Sequence, residues 1–138
     1  MVVNVAPTDN FPYDGGVMDL WGLMQWLYVI RRQKPEDSSP GLALRSFSQT
    51  YQNVFEDLPI SGQDVKVLGG IDETWRRWCF EDPNSDYWKS ARYLTKADRI
   101  KVPVLHQSGW FDDAGLGTKL NYLAVIKAGA KNQRLILG

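Results

Sequence analysis

The run Val102-Pro-Val-Leu-His-Gln-Ser-Gly-Trp-Phe-Asp-Asp113 holds the residues best placed to do chemistry. A short apolar strand leads into Gly109-Trp-Phe-Asp112, and a helix-forming stretch follows. That order sets a carboxylate at the carboxyl end of a buried strand, where open α/β sheets gather ligands and catalytic groups. Asp112 could be the acid of a Ser–acid–His triad. It would accept the ring N–H of a histidine, fix its tautomer and stabilise the imidazolium. A second reading has Asp112-Asp113 cap the helix that starts near Leu116, with Asp113 the nearer cap. A third, two carboxylates holding a metal, lacks further clustered ligands.

The other members of a triad are not legible. His106 is the single histidine of the chain. It precedes Asp112, whereas the serine, acid, histidine order puts the base after the acid. The six-residue step from one to the other spans up to about 20 Å when extended. His106 therefore reads as a strand histidine held by a neighbouring carbonyl. Ser61 and Ser108 each precede a glycine, but neither has a glycine two residues before it, so there is no Gly-x-Ser-x-Gly elbow. Cys79 reads as an inert buried thiol. Gly69-Gly70 stands alone and makes no phosphate loop.

The elements that must position Asp112 follow from patterning. Val2 to Val5 reads as a buried strand ended by Ala6-Pro7, and Thr8 to Gly16 as a loop. Asp14 is expected to cap a helix over 17–33, with Val17, Leu20, Trp21, Met24, Leu27 and Tyr28 on one face and Trp26 off it. Further helical segments are expected over 42–56 and 72–80, with a turn at 86–89. Val102 to Gln107 is a strand with an irregular start at Pro103. A helix is expected over 116–128, with Leu116, Leu120, Leu123 and Ala124 on one face and Gly129 as its stop. Arg134 to Leu137 is a last strand. Strand, helix and strand form a βαβ unit, so the strands should be parallel.

Bulk properties narrow the class. Sixteen basic and sixteen acidic residues cancel, so nothing points to a nucleic-acid partner. One cysteine excludes an intrachain disulfide framework, and no Cys/His cluster suggests zinc. No apolar run reaches membrane-spanning length. The start, Met1 to Pro7, has no basic region followed by an apolar one, so it is not a signal peptide. If Met1 is the true start, a cytoplasmic location is expected. A non-catalytic reading, a small α/β binding or dimerisation module, remains open.

Several segments resemble one family. They are Asp82-Pro-Asn-Ser-Asp-Tyr-Trp-Lys-Ser90, Ile100-Lys-Val-Pro-Val-Leu-His106, Ser108-Gly-Trp-Phe-Asp112, Gly117-Thr-Lys-Leu-Asn-Tyr122 and Ala128-Gly-Ala-Lys-Asn-Gln-Arg-Leu-Ile-Leu-Gly138. Together they resemble the acid-bearing part of the X-Pro dipeptidyl-peptidase and cocaine-esterase type hydrolases. The opening Val5-Ala-Pro-Thr-Asp-Asn-Phe11 resembles the strand and loop after that family's nucleophile helix. The resemblance implies a partial α/β-hydrolase fold, parallel strands with a mainly helical cap inserted before the acid strand. Residues 1–16 would be core strand and loop, 17–100 the cap, and 101–138 the core βαβ unit with the acid loop. It implies that Asp112 is the triad acid of a serine hydrolase. The serine would lie before Met1 and the histidine after Gly138, leaving this chain alone inactive. Trp21, Trp26 and Phe11 are candidates for the acyl-pocket wall, and Trp110 and Phe111 are expected to pack beside the acid. The substrate would be an ester, amide or peptide. No cofactor or metal is implied, and a homo-oligomer is possible.

Overall fold

A computed structural model describes residues 1–7, 13–14, 17–31 and 40–138. The chain divides into two compact units, residues 1–11 with 84–138, and residues 12–83.

The first unit is built on a parallel three-stranded sheet. Its strands are β1 (Val2–Asn4), β4 (Val104–Ser108) and β5 (Gln133–Leu137), in the order β1-β4-β5. In register, Val3 faces His106 and His106 faces Leu135. A helix, α5 (Gly115–Lys127), joins β4 to β5, the crossover expected between parallel neighbours. On β4, Val104, His106 and Ser108 are buried while Gln107 is exposed, so one face of the sheet is covered and the other open. The mixed helix and strand content with parallel pairing is that of an α/β protein. Strand β4 starts one residue after Pro103, whose missing N–H fits an irregular strand start. Gly129 adopts φ +83° and ends α5, accepting the left-handed backbone that a side chain would resist.

Helix α5 buries a different face from the one its leucines mark. Gly117, Thr118, Asn121 and Val125 are buried, whereas Leu116, Leu120 and Leu123 are exposed. The cause lies at the end of β1. There the chain leaves the ladder through Val5, a β-branched residue at φ +49°, an uncommon and strained conformation. The peptide groups of Ala6 and Pro7 then need partners that no strand supplies. Thr118 Oγ1 accepts from the Ala6 amide at 3.1 Å and donates to its carbonyl at 3.3 Å. Asn121 Nδ2 donates to the Pro7 carbonyl at 3.1 Å. Tyr93 donates its hydroxyl to the same carbonyl. Polar satisfaction, not the apolar stripe, sets the rotation of the helix.

The second unit is mainly helical. A two-residue antiparallel ladder, β2 (Tyr13–Asp14) with β3 (Val17–Met18), precedes α1 (Leu20–Arg31). The helix thus starts three residues later than its apolar pattern implies. Its first turn is capped by Asp19, whose Oδ1 accepts from the Gly22 amide at 3.0 Å, and not by Asp14. Helix α2 (Pro40–Thr50) is followed by a separate turn at Val54–Glu56, so the 42–56 segment is interrupted. Two further helices follow, α3 (Gln63–Leu68), which the patterning does not anticipate, and α4 (Glu73–Phe80). The core joins Met24, Leu27 and Tyr28 of α1 to Phe47 of α2, Val67 of α3 and Trp75 of α4. Phe47 is ringed by Trp21, Tyr28 and Tyr51 at centroid distances of 5.0, 5.4 and 5.6 Å. Aromatic pairs of this kind add about 0.5–1.5 kcal/mol each beyond area burial.

A buried carboxylate organises α3 and α4. Asp64 is 0% exposed and accepts four hydrogen bonds. Arg76 gives two, Nε at 2.7 Å and Nη2 at 3.0 Å. The Asp72 and Val65 amides give the others at 3.0 and 2.8 Å. Asp72 in turn caps α4 by accepting from the Trp75 amide at 2.9 Å and binds Arg31 at 2.8 Å. Burial pushes the Asp64 carboxyl up, but the Arg76 bonds and the two amides prevail and hold it below the usual range. A folded value below the unfolded one adds stability that is complete above about pH 5 and fades as the carboxyl protonates. Removing one partner of a buried pair typically costs about 3 kcal/mol or more. Asp64→Asn should lower unfolding free energy by about that amount at pH 7 in urea titrations, and by progressively less as the pH is brought down and the native carboxyl protonates.

Candidate active site

The sheet of the first unit fixes where Asp112 lies. β4 is the central strand, and its chain passes from Ser108 through Gly109 to Asp112 just beyond the carboxyl end. The loop is tied to the neighbouring strand. The Gly138 amide donates to the Ser108 carbonyl and the Trp110 amide to the Gly138 carbonyl, both at 3.1 Å. The loop also closes on itself, with the Asp112 amide on the Gly109 carbonyl at 3.3 Å and the Gly115 amide on the Asp112 carbonyl at 2.9 Å.

The carboxylate of Asp112 is half-buried and asymmetrically engaged. Oδ1 accepts from the Ala114 amide at 2.8 Å, an Asx-type turn. Oδ2 has no hydrogen bond among the described residues. One oxygen is held by backbone and the other can accept a donor. Asp113, expected as the helix cap, is exposed and forms no side-chain bond to α5. The residue flanking α5 is Ala114, which has no capping side chain. The Asx turn of Asp112 has taken over the local role, which leaves Asp113 without one.

Beside the loop, a cleft of about 390 Å³ opens at the carboxyl ends of all three strands, lined by Asn4, Val5, Gln107, Ser108, Gly109, Ile136 and Gly138. Trp110 and Phe111 do not pack beside the acid. They are 70% and 104% exposed, and the bonds that close the loop, backbone ones and that of Asp112 Oδ1, involve neither ring.

The remaining candidates fall elsewhere. His106 is buried within β4, its ring edge-on to Tyr122 at 5.7 Å. Its Nε2 donates to Gln133 Oε1 at 3.3 Å. The amide orientation of Gln133 is set by its own donations to the Val102 and Lys131 carbonyls. His106 is therefore a structural side chain with no bond to Asp112. Trp21 is half-buried against Phe47, while Trp26 is 55% exposed on α1. Phe11 lies outside the described residues. Among the described residues no group of three or more His, Cys, Asp or Glu could hold a metal ion. No helix of the described residues is long and apolar enough to cross a membrane.

Comparison with known proteins decides the family. The model of the X-Pro dipeptidyl-peptidase (S15 family) matches residues 1–138. The chain belongs to this family. That makes it hydrolase- and peptidase-related, and the parallel sheet with a strand-end carboxylate is consistent with such chemistry. No curated protein matches the chain.

Residues that sequence reasoning passed over also shape the site. The Ala114 amide, Gly115, Thr118 and Asn121 hold the acid loop and the end of β1. Thr118 and Asn121 stand three apart on one helix face, a signal that was readable but outweighed by the leucine stripe. Cys79 is partly buried, and burial, with a smaller contribution from Asp64, pushes its thiol up to about 11. Because the thiolate is the nucleophile, iodoacetamide at about pH 8 should alkylate folded Cys79 at least about a hundredfold more slowly than an unfolded thiol. Full reactivity should return in denaturant. Rapid labelling of the folded chain would contradict an inert role.

Proposed function

We propose that this chain carries the acid of a serine hydrolase that cleaves ester or amide bonds, of acyl or X-Pro dipeptidyl type, on an α/β-hydrolase fold. One observation carries the reading. Asp112 stands beyond the carboxyl end of the central strand with Oδ1 tied to the Ala114 amide and Oδ2 open to a donor. Family membership and the β1-β4-β5 parallel order support it.

In the proposed mechanism Oδ2 accepts the Nδ1–H of a histidine. The other ring nitrogen then faces the serine hydroxyl and takes its proton as the oxygen attacks the substrate carbonyl. The imidazolium passes that proton to the leaving alcohol or amine, and water then hydrolyses the acyl-enzyme by the same route. The serine and histidine of this scheme lie outside these 138 residues, since no serine here sits in an elbow and His106 is committed to Gln133. The helical segment supplies the cap. Trp26, exposed on α1, is free to serve as an acyl-pocket wall. Trp21 is mostly engaged by Phe47, and Phe11 is retained on resemblance alone.

The 138-residue chain alone should not hydrolyse nitrophenyl acetate above the protein background, because triad members act as a unit. In a complete hydrolase that joins this chain to an elbow serine and a histidine, Asp112→Asn should lower kcat by about 10⁴-fold, the loss known for a triad acid. Asp113→Asn, at an exposed position, should change kcat little. Equal losses at the two positions would sink the assignment, and no loss at either would favour the non-catalytic module.

A further inference from the structure

The acid loop is held in place by a close approach that only glycine permits. A Cβ built on Gly115 would lie 2.8 Å from the Gly109 carbonyl oxygen, and Ser108 Oγ stands 4.0 Å away on the same side. The clash is with backbone, so no side-chain rotation can relieve it. The same carbonyl accepts the Asp112 amide at 3.3 Å, and the Gly115 amide donates to the Asp112 carbonyl at 2.9 Å. Gly115 therefore touches both ends of the turn that presents the carboxylate. Its conformation is not the reason for a glycine, because it lies inside helix α5 and has no positive φ. The reason is space.

Resting on the acid role given to Asp112 above, we propose that Gly115 is a positioning residue for that acid. Its missing side chain lets the first turn of α5 seat against the Gly109 carbonyl. That contact fixes the turn in which Oδ1 binds the Ala114 amide and Oδ2 stays open. A methyl group at 115 pushes the Gly109 carbonyl away, loosens its bond to the Asp112 amide and shifts the carboxylate relative to the strand. Helix propensity works in the opposite direction, since alanine is the better helix former. A loss of activity at this position is thus not a loss of helix.

The test is steady-state kinetics of the complete hydrolase on a nitrophenyl ester, comparing Gly115→Ala, Gly109→Ala and Asp112→Asn with the parent. Misplacing a catalytic group by about 1 Å can cost on the order of 100-fold. Gly115→Ala should lower kcat by about 10–100-fold with KM nearly unchanged. The acidic limb of its pH–kcat profile should move to lower pH, because a displaced carboxylate stabilises the imidazolium less. Gly109→Ala meets milder contacts, 3.4 Å to the Gly138 carbonyl oxygen, at the limit of tight packing, and 3.6 Å to Cβ of Asp112 itself, so its methyl presses on the acid only lightly. It should fold and give a smaller kcat loss in the same direction, which keeps the idea open to refutation if Gly115→Ala does not fold. Full kcat and an unmoved acidic limb in Gly115→Ala, beside a disabled Asp112→Asn, would overturn the role of Gly115 alone. A fully active Asp112→Asn would overturn the acid assignment and this inference with it. With Gly115→Ala unfolded, an unchanged kcat in Gly109→Ala would also count against the proposal.

Discussion

The sheet unit depends on two polar side chains buried beneath α5. Where β1 ends, Val5 turns into the left-handed region and the peptide groups of Ala6 and Pro7 leave the ladder. These groups are only partly buried, and a polar group withdrawn from water gains from a partner on the helix above. Thr118 and Asn121 are those partners. Once they face the sheet, the rest of α5 has no freedom of rotation. Val125 points into the core, the leucines point out, and the amino-terminal turn comes down on Gly109. The placement of Asp112 is the last link in this chain of constraints, which begins more than a hundred residues earlier in sequence.

Much of the fold was legible because its signals were redundant. β4 and β5 are short apolar runs bounded by proline, glycine and asparagine, and the helix between them dictates parallel pairing. Gly129 announced the end of α5 because it accepts the left-handed backbone that residues with a side chain resist. The errors share one physical origin. Helical periodicity reports which residues are apolar, not which side meets the sheet. Leu116, Leu120 and Leu123 formed the clearer stripe, yet small and polar residues won the interior because hydrogen bonding outweighed it. Likewise the apolar pattern of α1 continues backwards through Val17 and Met18, whose backbones pair with Asp14 and Tyr13 instead.

In the helical unit, local signals were present but assigned to the wrong partner. α3 is six residues long, too short to show a period, and its second residue is a charged one at a buried position. Asp64 reads as a solvated surface carboxylate until Arg76, twelve residues on, is brought to it. That pairing is a tertiary fact. It also explains why Asp72 caps α4 so firmly, since the same aspartate gives its amide to Asp64 and its second oxygen to Arg31. An ion-paired carboxylate that needs every one of its partners fixes the register of two helices where apolar packing alone would tolerate several.

The rival readings of Asp112, helix-terminal cap and triad acid, turn out not to compete for the same atom. A carboxylate has two oxygens, and the loop uses one. Oδ1 does the local work by closing the turn on the Ala114 amide, as a capping aspartate would. That bond removes rotational freedom about the side chain and leaves Oδ2 in a defined direction. A triad acid needs such pre-orientation, because its task is to hold a histidine in one tautomer and one pose. Asp113 shows the contrast. It has the same chemistry one residue later, but no backbone donor orients it and solvent surrounds it. Sequence spacing alone could not separate the two aspartates. The turn does, because the chain from Gly109 to Gly115 can close around only one of them.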